Sequence, residues 1–247
     1  MKAARIVRGV AGAVLALALA CAGPRATTGV GSSHSAPEPR PAAPGTNRDR
    51  HGDQDVARYI DRLQSEDRIA DLQVDIVIER LALASDAVVG DLGCGPGVFS
   101  LAFAQACPRG LVFASDIEPA QLDRVRERIR DQGVRNVVPV LASEDDPHFP
   151  PGRLDLVFVA DTYHHLEDRV AYFERLRSVL KPDGRLAILE YKPGKIPVGP
   201  PADHKLPAGT MQAEIEEAGF VQVEKFDTHA WHDFEVWCAR RPRESGR

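Results

Sequence analysis

Four cysteines in 247 residues, Cys21, Cys94, Cys107 and Cys238, are too few and too scattered for a dense disulfide scaffold. None forms a C-x-x-C pair, which argues against a zinc ribbon. No apolar run reaches the ~20 residues that a bilayer-spanning helix needs, so a multispanning membrane protein is excluded. A basic surplus is also missing: 31 Lys and Arg stand against 36 Asp and Glu, a net charge of −5. That balance argues against a nucleic-acid binder that works by neutralising phosphates. No internal repeat is visible. What is present is the composition of a folded protein, 43% apolar and 27% charged.

The N-terminus reads as an export signal. Lys2, Arg5 and Arg8 precede an unbroken apolar or small-residue run from Val10 to Ala20. Ala18-Leu19-Ala20 satisfies the small-x-small rule for cleavage, and Cys21 follows. A cysteine there resembles a bacterial lipobox, although the usual leucine three residues earlier is Ala18 here. Acylation of Cys21 would tether the protein to a membrane surface, not through it. Simple cleavage is the alternative. Loss of residues 1–20 removes three positive charges and leaves −8. Residues 21–52, rich in Pro, Gly, Ser, Thr and Ala, read as a disordered linker. Residues 53–247 remain, one domain's worth.

That domain alternates strand and helix. Val56, Ile60 and Leu63 share one helical face, and Ile69, Leu72 and Ile76 another, which predicts two opening helices. Ala87–Gly90, Leu111–Ser115, Asn136–Leu141, Leu154–Ala160 and Arg185–Glu190 read as five strands. Helices separate most of them, one opening at Pro119 and closing at Gly133. The Leu154–Ala160 run is apolar enough for a strand covered on both faces. A last helix ends at Gly219. Two strands follow without a helix between them, Phe220–Phe226 and Phe234–Ala239, which predicts an antiparallel hairpin. The pattern implies an α/β fold, a doubly wound Rossmann-like sheet with helices on both faces.

The chemistry concentrates in Asp91-Leu92-Gly93-Cys94-Gly95-Pro96-Gly97, between the first strand and its helix. Glycines there let a backbone approach a ligand without Cβ clashes. Asp116 ends the next strand, where an acid accepts hydrogen bonds from both hydroxyls of a ribose. The loop lacks the Lys-Ser/Thr of a triphosphate-binding loop. A dinucleotide site stays open, but Gly-x-Gly-x-Gly is not its spacing. Asp91 would repel a pyrophosphate and suit a cationic ligand.

These residues resemble the class I S-adenosylmethionine-dependent methyltransferases, and the resemblance runs over roughly residues 53–247. It implies a seven-stranded sheet of order 3-2-1-4-5-7-6, with strand seven antiparallel. It implies S-adenosylmethionine as cofactor, its amino group held through Asp91, its ribose by Asp116 and its adenine beside Ile117. Gly93, Cys94, Gly95 and Gly97 form the cradle. The family's adenine-binding acid after strand three falls here at Ser143, with Glu144 and Asp145 as the acids that can take that contact. Leu154-Asp155-Leu156-Val157 and Leu180-Lys181-Pro182-Asp183-Gly184 match the fourth strand and the turn before the fifth.

Asp161-Thr162-Tyr163-His164-His165 follows strand four, at the carboxyl edge where ligands of such sheets bind. Asp161 is expected to touch the cofactor and the reaction, His164 to act as base and Tyr163 to orient the acceptor. Capping of the next helix is the plainer role for the two histidines. His165, Tyr191 and His204 are the candidate acceptor contacts, the last two bracketing a Pro-rich run read as a lid or surface loop. No metal site is expected, since His229 and His232 sit in a hairpin turn without a carboxylate or cysteine pattern. The partner is a small-molecule acceptor, not nucleic acid, with a membrane surface reached only through Cys21. Three readings compete: an exported or envelope-tethered methyltransferase, a non-catalytic exported protein binding a nucleoside-type ligand, and a cytoplasmic enzyme. The tension is physical, because S-adenosylmethionine is made in the cytoplasm.

Overall fold

The structure, a computed structural model, describes residues 53–240; the expected signal, Cys21 and the linker lie outside the described residues. Three helices open the chain, α1 (Asp53–Leu63), α2 (Glu66–Leu72) and α3 (Val74–Leu81). The expected second opening helix is therefore two. Gln73 breaks it in the left-handed conformation (φ 44°), and its side-chain amide donates to the Thr228 carbonyl at 3.0 Å. Leu72 and Val77 are buried on either side of the break.

The alternation then follows as β1 (Val88–Leu92), α4 (Val98–Ala106), β2 (Leu111–Asp116), α5 (Pro119–Gln132), β3 (Val137–Leu141), β4 (Leu154–Ala160), α6 (Arg169–Leu176), β5 (Leu180–Tyr191), α7 (Thr210–Glu217), β6 (Phe220–Phe226) and β7 (His232–Ala239). The seven strands form one sheet in the order β3-β2-β1-β4-β5-β7-β6. The first five are parallel, and β7 runs antiparallel between β5 and β6. Alternation in β4 explains the two layers. Leu156 and Phe158 point into a cluster with Phe99, Phe103, Leu122 and Val125. Val157 and Val159 point the other way, among Phe173, Leu176, Ile215 and Trp237. Burying a strand on both faces leaves no room for polar residues at its centre, hence the apolar run.

Local chemistry sets the ends of α5. Pro119 supplies a fixed φ at the first helical position, and the Glu118 carboxylate accepts the Ala120 N–H at 3.2 Å. Gly133 (φ 65°) closes the helix, its N–H donating to Arg130 and Ile129 carbonyls. The Lys181–Gly184 turn lies inside β5 as a bulge: Leu154 pairs with Leu180, but Leu156 already pairs with Arg185. Strand β7 begins earlier than expected. His232 pairs with Tyr191 rather than sitting in the turn, because β5 also extends one residue further. Two histidine-bearing segments are thereby brought to the same carboxyl edge of the sheet.

Candidate active site

The glycine loop is built against β2. Gly93 and Cys94 N–H groups both donate to the Ser115 carbonyl, at 2.8 and 3.0 Å. Gly93, Gly95 and Gly97 all take positive φ, at 67°, 53° and 78°. Gly93 faces the tightest wall of the three: a Cβ there would fall 2.2 Å from Thr162 Oγ1, so loop and β4 end meet backbone to side chain. Cys94 turns its thiol into the core beside Phe99, and burial pushes the thiol's pKa well up. Its part in a cradle is therefore its backbone.

Asp116 holds the loop from the other side. Oδ2 accepts the Gly95 N–H and Oδ1 the Glu118 N–H, each at 2.9 Å. A carboxylate has about four acceptor positions, so each oxygen retains a lone pair for a ligand hydroxyl. Burial raises the pKa of Asp116, against the backbone N–H groups that lower it. Gln121 Oε1, about 4.0 Å from the Cβ position of Gly95, is a buried acceptor without a hydrogen-bond partner among the described residues. An orphan acceptor and two free lone pairs around a glycine cradle fit a polyhydroxylated ligand such as a ribose. Ile117 is 46% exposed, and Leu141, in register with Asp116, is 53% exposed. Sequence reasoning missed Leu141 as a second apolar wall, since its exposure follows from strand pairing alone.

Asp91 is fully enclosed, and the Ser100 hydroxyl donates to its Oδ2 at 2.5 Å. Burial pushes its pKa up to about 7; the Ser100 hydrogen bond opposes the rise and the Asp116 charge adds to it. An acid at that balance point is ready to be recharged by a nearby cation.

The other half of the site gathers at the ends of β4, β5 and β7. Asp161 has a left-handed backbone (φ 48°), a conformation that non-glycine residues keep only when their surroundings hold them there. Its 95%-buried carboxylate lies 2.9 Å from Arg68 NH1 and 3.1 Å from His232 Nε2, close enough for ion pairing, though neither contact has hydrogen-bond angles. Burial works to raise its pKa; the contact from His232 and the charge of Arg68 outweigh it and hold the pKa low. Arg68 NH1 also donates to the Tyr191 hydroxyl at 2.9 Å, and the Tyr191 ring packs 4.5 Å from that of His232. Burial, with Asp161's charge adding to it, pushes the Tyr191 pKa up to about 12. His164 Nδ1 lies 2.9 Å from Glu190 Oε1.

Not every expected residue converges here. Tyr163 is corrected by the packing: its ring stacks on Phe173 at 5.1 Å and its hydroxyl donates to Glu214 at 2.7 Å, inside the α6–α7 layer. Strand β4 ends in a tight turn that sends this side chain away from the carboxyl edge. His204 stands exposed on the one-turn helix Ala202–His204, and its neighbour Lys205 is the one that turns inward, its ammonium 5.8 Å from the Tyr191 ring centre. Glu144 is exposed, and Asp145 spends its carboxylate on the Ser143 hydroxyl at 2.8 Å. His165 lies exposed on the rim, its ring centre 4.1 Å from that of His164. His229 is structural: Nε2–H donates to the Leu72 carbonyl, which leaves Nδ1 to accept the Thr228 hydroxyl. Among the described residues no three His, Cys, Asp or Glu side chains are placed to hold a metal. Sequence reasoning missed Arg68, Glu190 and His232. Glu190 at a strand's end was the only one with a local signal.

Comparison with known proteins agrees with this geometry. Residues 89–184 match the model of a methyltransferase domain family. The ubiquinone/menaquinone biosynthesis C-methyltransferase UbiE of Cupriavidus pinatubonensis is 36% identical over 102 residues, 41% of this chain and 42% of that protein. The aklanonic acid methyltransferase DauC of a Streptomyces species is 30% identical over 129 residues, 49% of this chain and 59% of that one. The chain thus spans about half the length of these curated relatives. A solved S-adenosylmethionine-dependent methyltransferase from Aquifex aeolicus superposes with a TM-score of 0.70 at 23% identity, covering 74% of this chain and 97% of that one. The fold is that of the class I S-adenosylmethionine-dependent methyltransferases. The matched segment runs from β1 into the β5 bulge and holds the glycine loop, Asp116 and the turn after β4.

Proposed function

We propose that the chain transfers a methyl group from S-adenosylmethionine to a small-molecule acceptor by in-line displacement. Asp116 carries the reading. Its two oxygens are each half-satisfied by backbone N–H groups at the mouth of a left-handed glycine loop, an arrangement that leaves paired acceptors for vicinal hydroxyls. The donor, when bound, supplies an electrophilic methyl on a sulfonium centre. Asp116 orients its ribose, Ile117 covers its adenine, and Asp91 stabilises the cationic amino end once recharged. Asp161 adds negative charge near the carboxyl edge, where a positive ligand gains from it. The ends of β4 and β5 shape the acceptor side, with Tyr191 and the 192–209 loop as its wall. The rest of the work is alignment and exclusion of water.

An exported form, anchored through a lipid on Cys21 or simply cleaved before it, belongs to the same reading. The mass of the N-terminus in protein made by cells tests it: a chain beginning at Met1 or Lys2 would sink export.

Calorimetry of the full chain with S-adenosylmethionine and S-adenosylhomocysteine tests the activity class. Micromolar binding that disappears in Asp116→Ala is the expected result. No binding at millimolar ligand would leave the fold serving another purpose.

A further inference from the structure

His164 and Glu190 come together across 26 residues of sequence, from the turn after β4 and the end of β5. Glu190 is 4% exposed, and three donors surround its carboxylate. Oε1 accepts the Tyr191 N–H at 2.8 Å and faces His164 Nδ1 at 2.9 Å; Oε2 accepts the His164 N–H at 3.3 Å. An ionised carboxylate only accepts, so His164 carries its proton on Nδ1 and presents the bare lone pair of Nε2. The His164 side chain is 8% exposed, yet Nε2 is not among the fully buried unpartnered atoms and has no partner among the described residues. The accessible remainder of this imidazole thus includes its basic nitrogen. A histidine that merely capped the next helix would have no need of a buried carboxylate gripping both its ring and its backbone.

Resting on the methyltransferase reading, we infer that Glu190 is the positioning residue of a Glu190–His164 dyad, and that the acceptor is a weak acid, a phenol or enol in kind, that must shed a proton as it is methylated. The balance is simple. The acceptor's X–H proton passes to His164 Nε2, the X–CH3 bond forms, the S–CH3 bond breaks, and its electron pair stays on sulfur. Glu190 stabilises the imidazolium that results. Other titratable and charged groups face the same ring: Tyr191 from β5, Asp161 from the end of β4 with its partners Arg68 and His232, and His165 from the same turn, so the Glu190 contribution has to be isolated by substitution.

The test is nitrogen-15 NMR of histidine-labelled full-length protein, with His164→Gln to assign the signal. The wild type is expected to show protonated Nδ1 and bare Nε2. Glu190→Gln, which keeps an acceptor but removes the charge, is expected to move the tautomer balance of His164 toward Nε2–H, while S-adenosylhomocysteine affinity stays within about threefold. Methyl transfer to simple phenols is expected to lose about 100-fold in kcat in His164→Gln with little change in KM. A wild-type Nε2–H tautomer, or a tautomer balance unmoved by Glu190→Gln, overturns the dyad. Transfer confined to a tertiary amine, which has no proton to give up, overturns the acceptor class. Should Glu190→Gln fail to fold, the wild-type tautomer alone decides. Loss of S-adenosylhomocysteine binding in the wild type would sink the underlying reading instead, so the two failures are distinguishable.

Discussion

The two halves of the site are built by opposite means. The cofactor half is made of backbone: three left-handed glycines, N–H groups tied to Ser115 and Asp116, and one buried acid. Its contacts close over short stretches, 21 residues between Gly95 and Asp116 and 9 between Asp91 and Ser100. The acceptor half is made of side chains delivered from far apart, with 123 residues between Arg68 and Tyr191. Backbone-built sites demand particular residues at particular spacings and so leave a motif. Side-chain-built sites can draw each group from any element that reaches the edge, and leave none.

This contrast can be broken first at Asp116. Its replacement by Ala should raise the dissociation constant for S-adenosylhomocysteine at least 100-fold in calorimetry, whereas Arg68→Ala should leave it within about threefold. Equal losses would mean that the halves are one unit. Gly93→Ala comes next. Its Cβ would strike Thr162 and its backbone would be held at φ 67°, so we expect a loss of about 2–4 kcal/mol in urea unfolding. Arg68→Ala should cost somewhat less, about 2–3 kcal/mol, by leaving Asp161 buried with one cationic neighbour fewer.

The pH dependence sharpens the comparison further. Asp91 is raised to about 7 in the ligand-free protein, so it is protonated below that pH and cannot meet a cation. Affinity for S-adenosylmethionine should therefore climb about tenfold per pH unit below 7 and flatten above it, with protons released on binding. Asp91→Asn should abolish that slope. The same raised value means that charging Asp91 opposes folding, a cost absent below the unfolded pKa near 4 and complete above about 7. Asp91→Asn should thus raise the melting temperature at pH 8 by a few degrees while weakening cofactor binding. The smallest effect belongs to Gly199. A Cβ there would press 2.4 Å from the Tyr191 ring, so Gly199→Ala should shift acceptor KM about twofold to fivefold and leave cofactor affinity alone.

The same division governs what the residues revealed before any coordinates. The sheet was readable because doubly covered strands such as Leu154–Ala160 must be nearly continuous apolar runs, broken here by Asp155 alone, and because proline and glycine punctuate α5. The break at Gln73 was not readable. Ile69, Leu72 and Ile76 keep helical spacing across it, and the side-chain bond to Thr228 that accompanies the break is 155 residues away. Arg68 sits on a helix whose periodicity reports only its apolar face, so nothing local shows that its guanidinium reaches Asp161. Tyr163 misled for the converse reason: a motif places the residue at the edge, but only packing decides that its ring turns under the sheet onto Phe173.

The insertion of β7 between β5 and β6 gives the protein a calendar. The last strand among the described residues occupies an interior place in the sheet, and it carries His232 to Tyr191 and Asp161. A chain emerging from the ribosome can close the glycine loop on Asp116 soon after β2 appears, but it cannot finish the acceptor side until β7 has followed, more than a hundred residues later. In pulse-labelled refolding the Gly95 amide should gain protection before that of Tyr191. Under the proposed function the acceptor side is thus the later to mature, and a newly made chain passes through a stage at which it can hold the methyl donor but has nowhere to spend it.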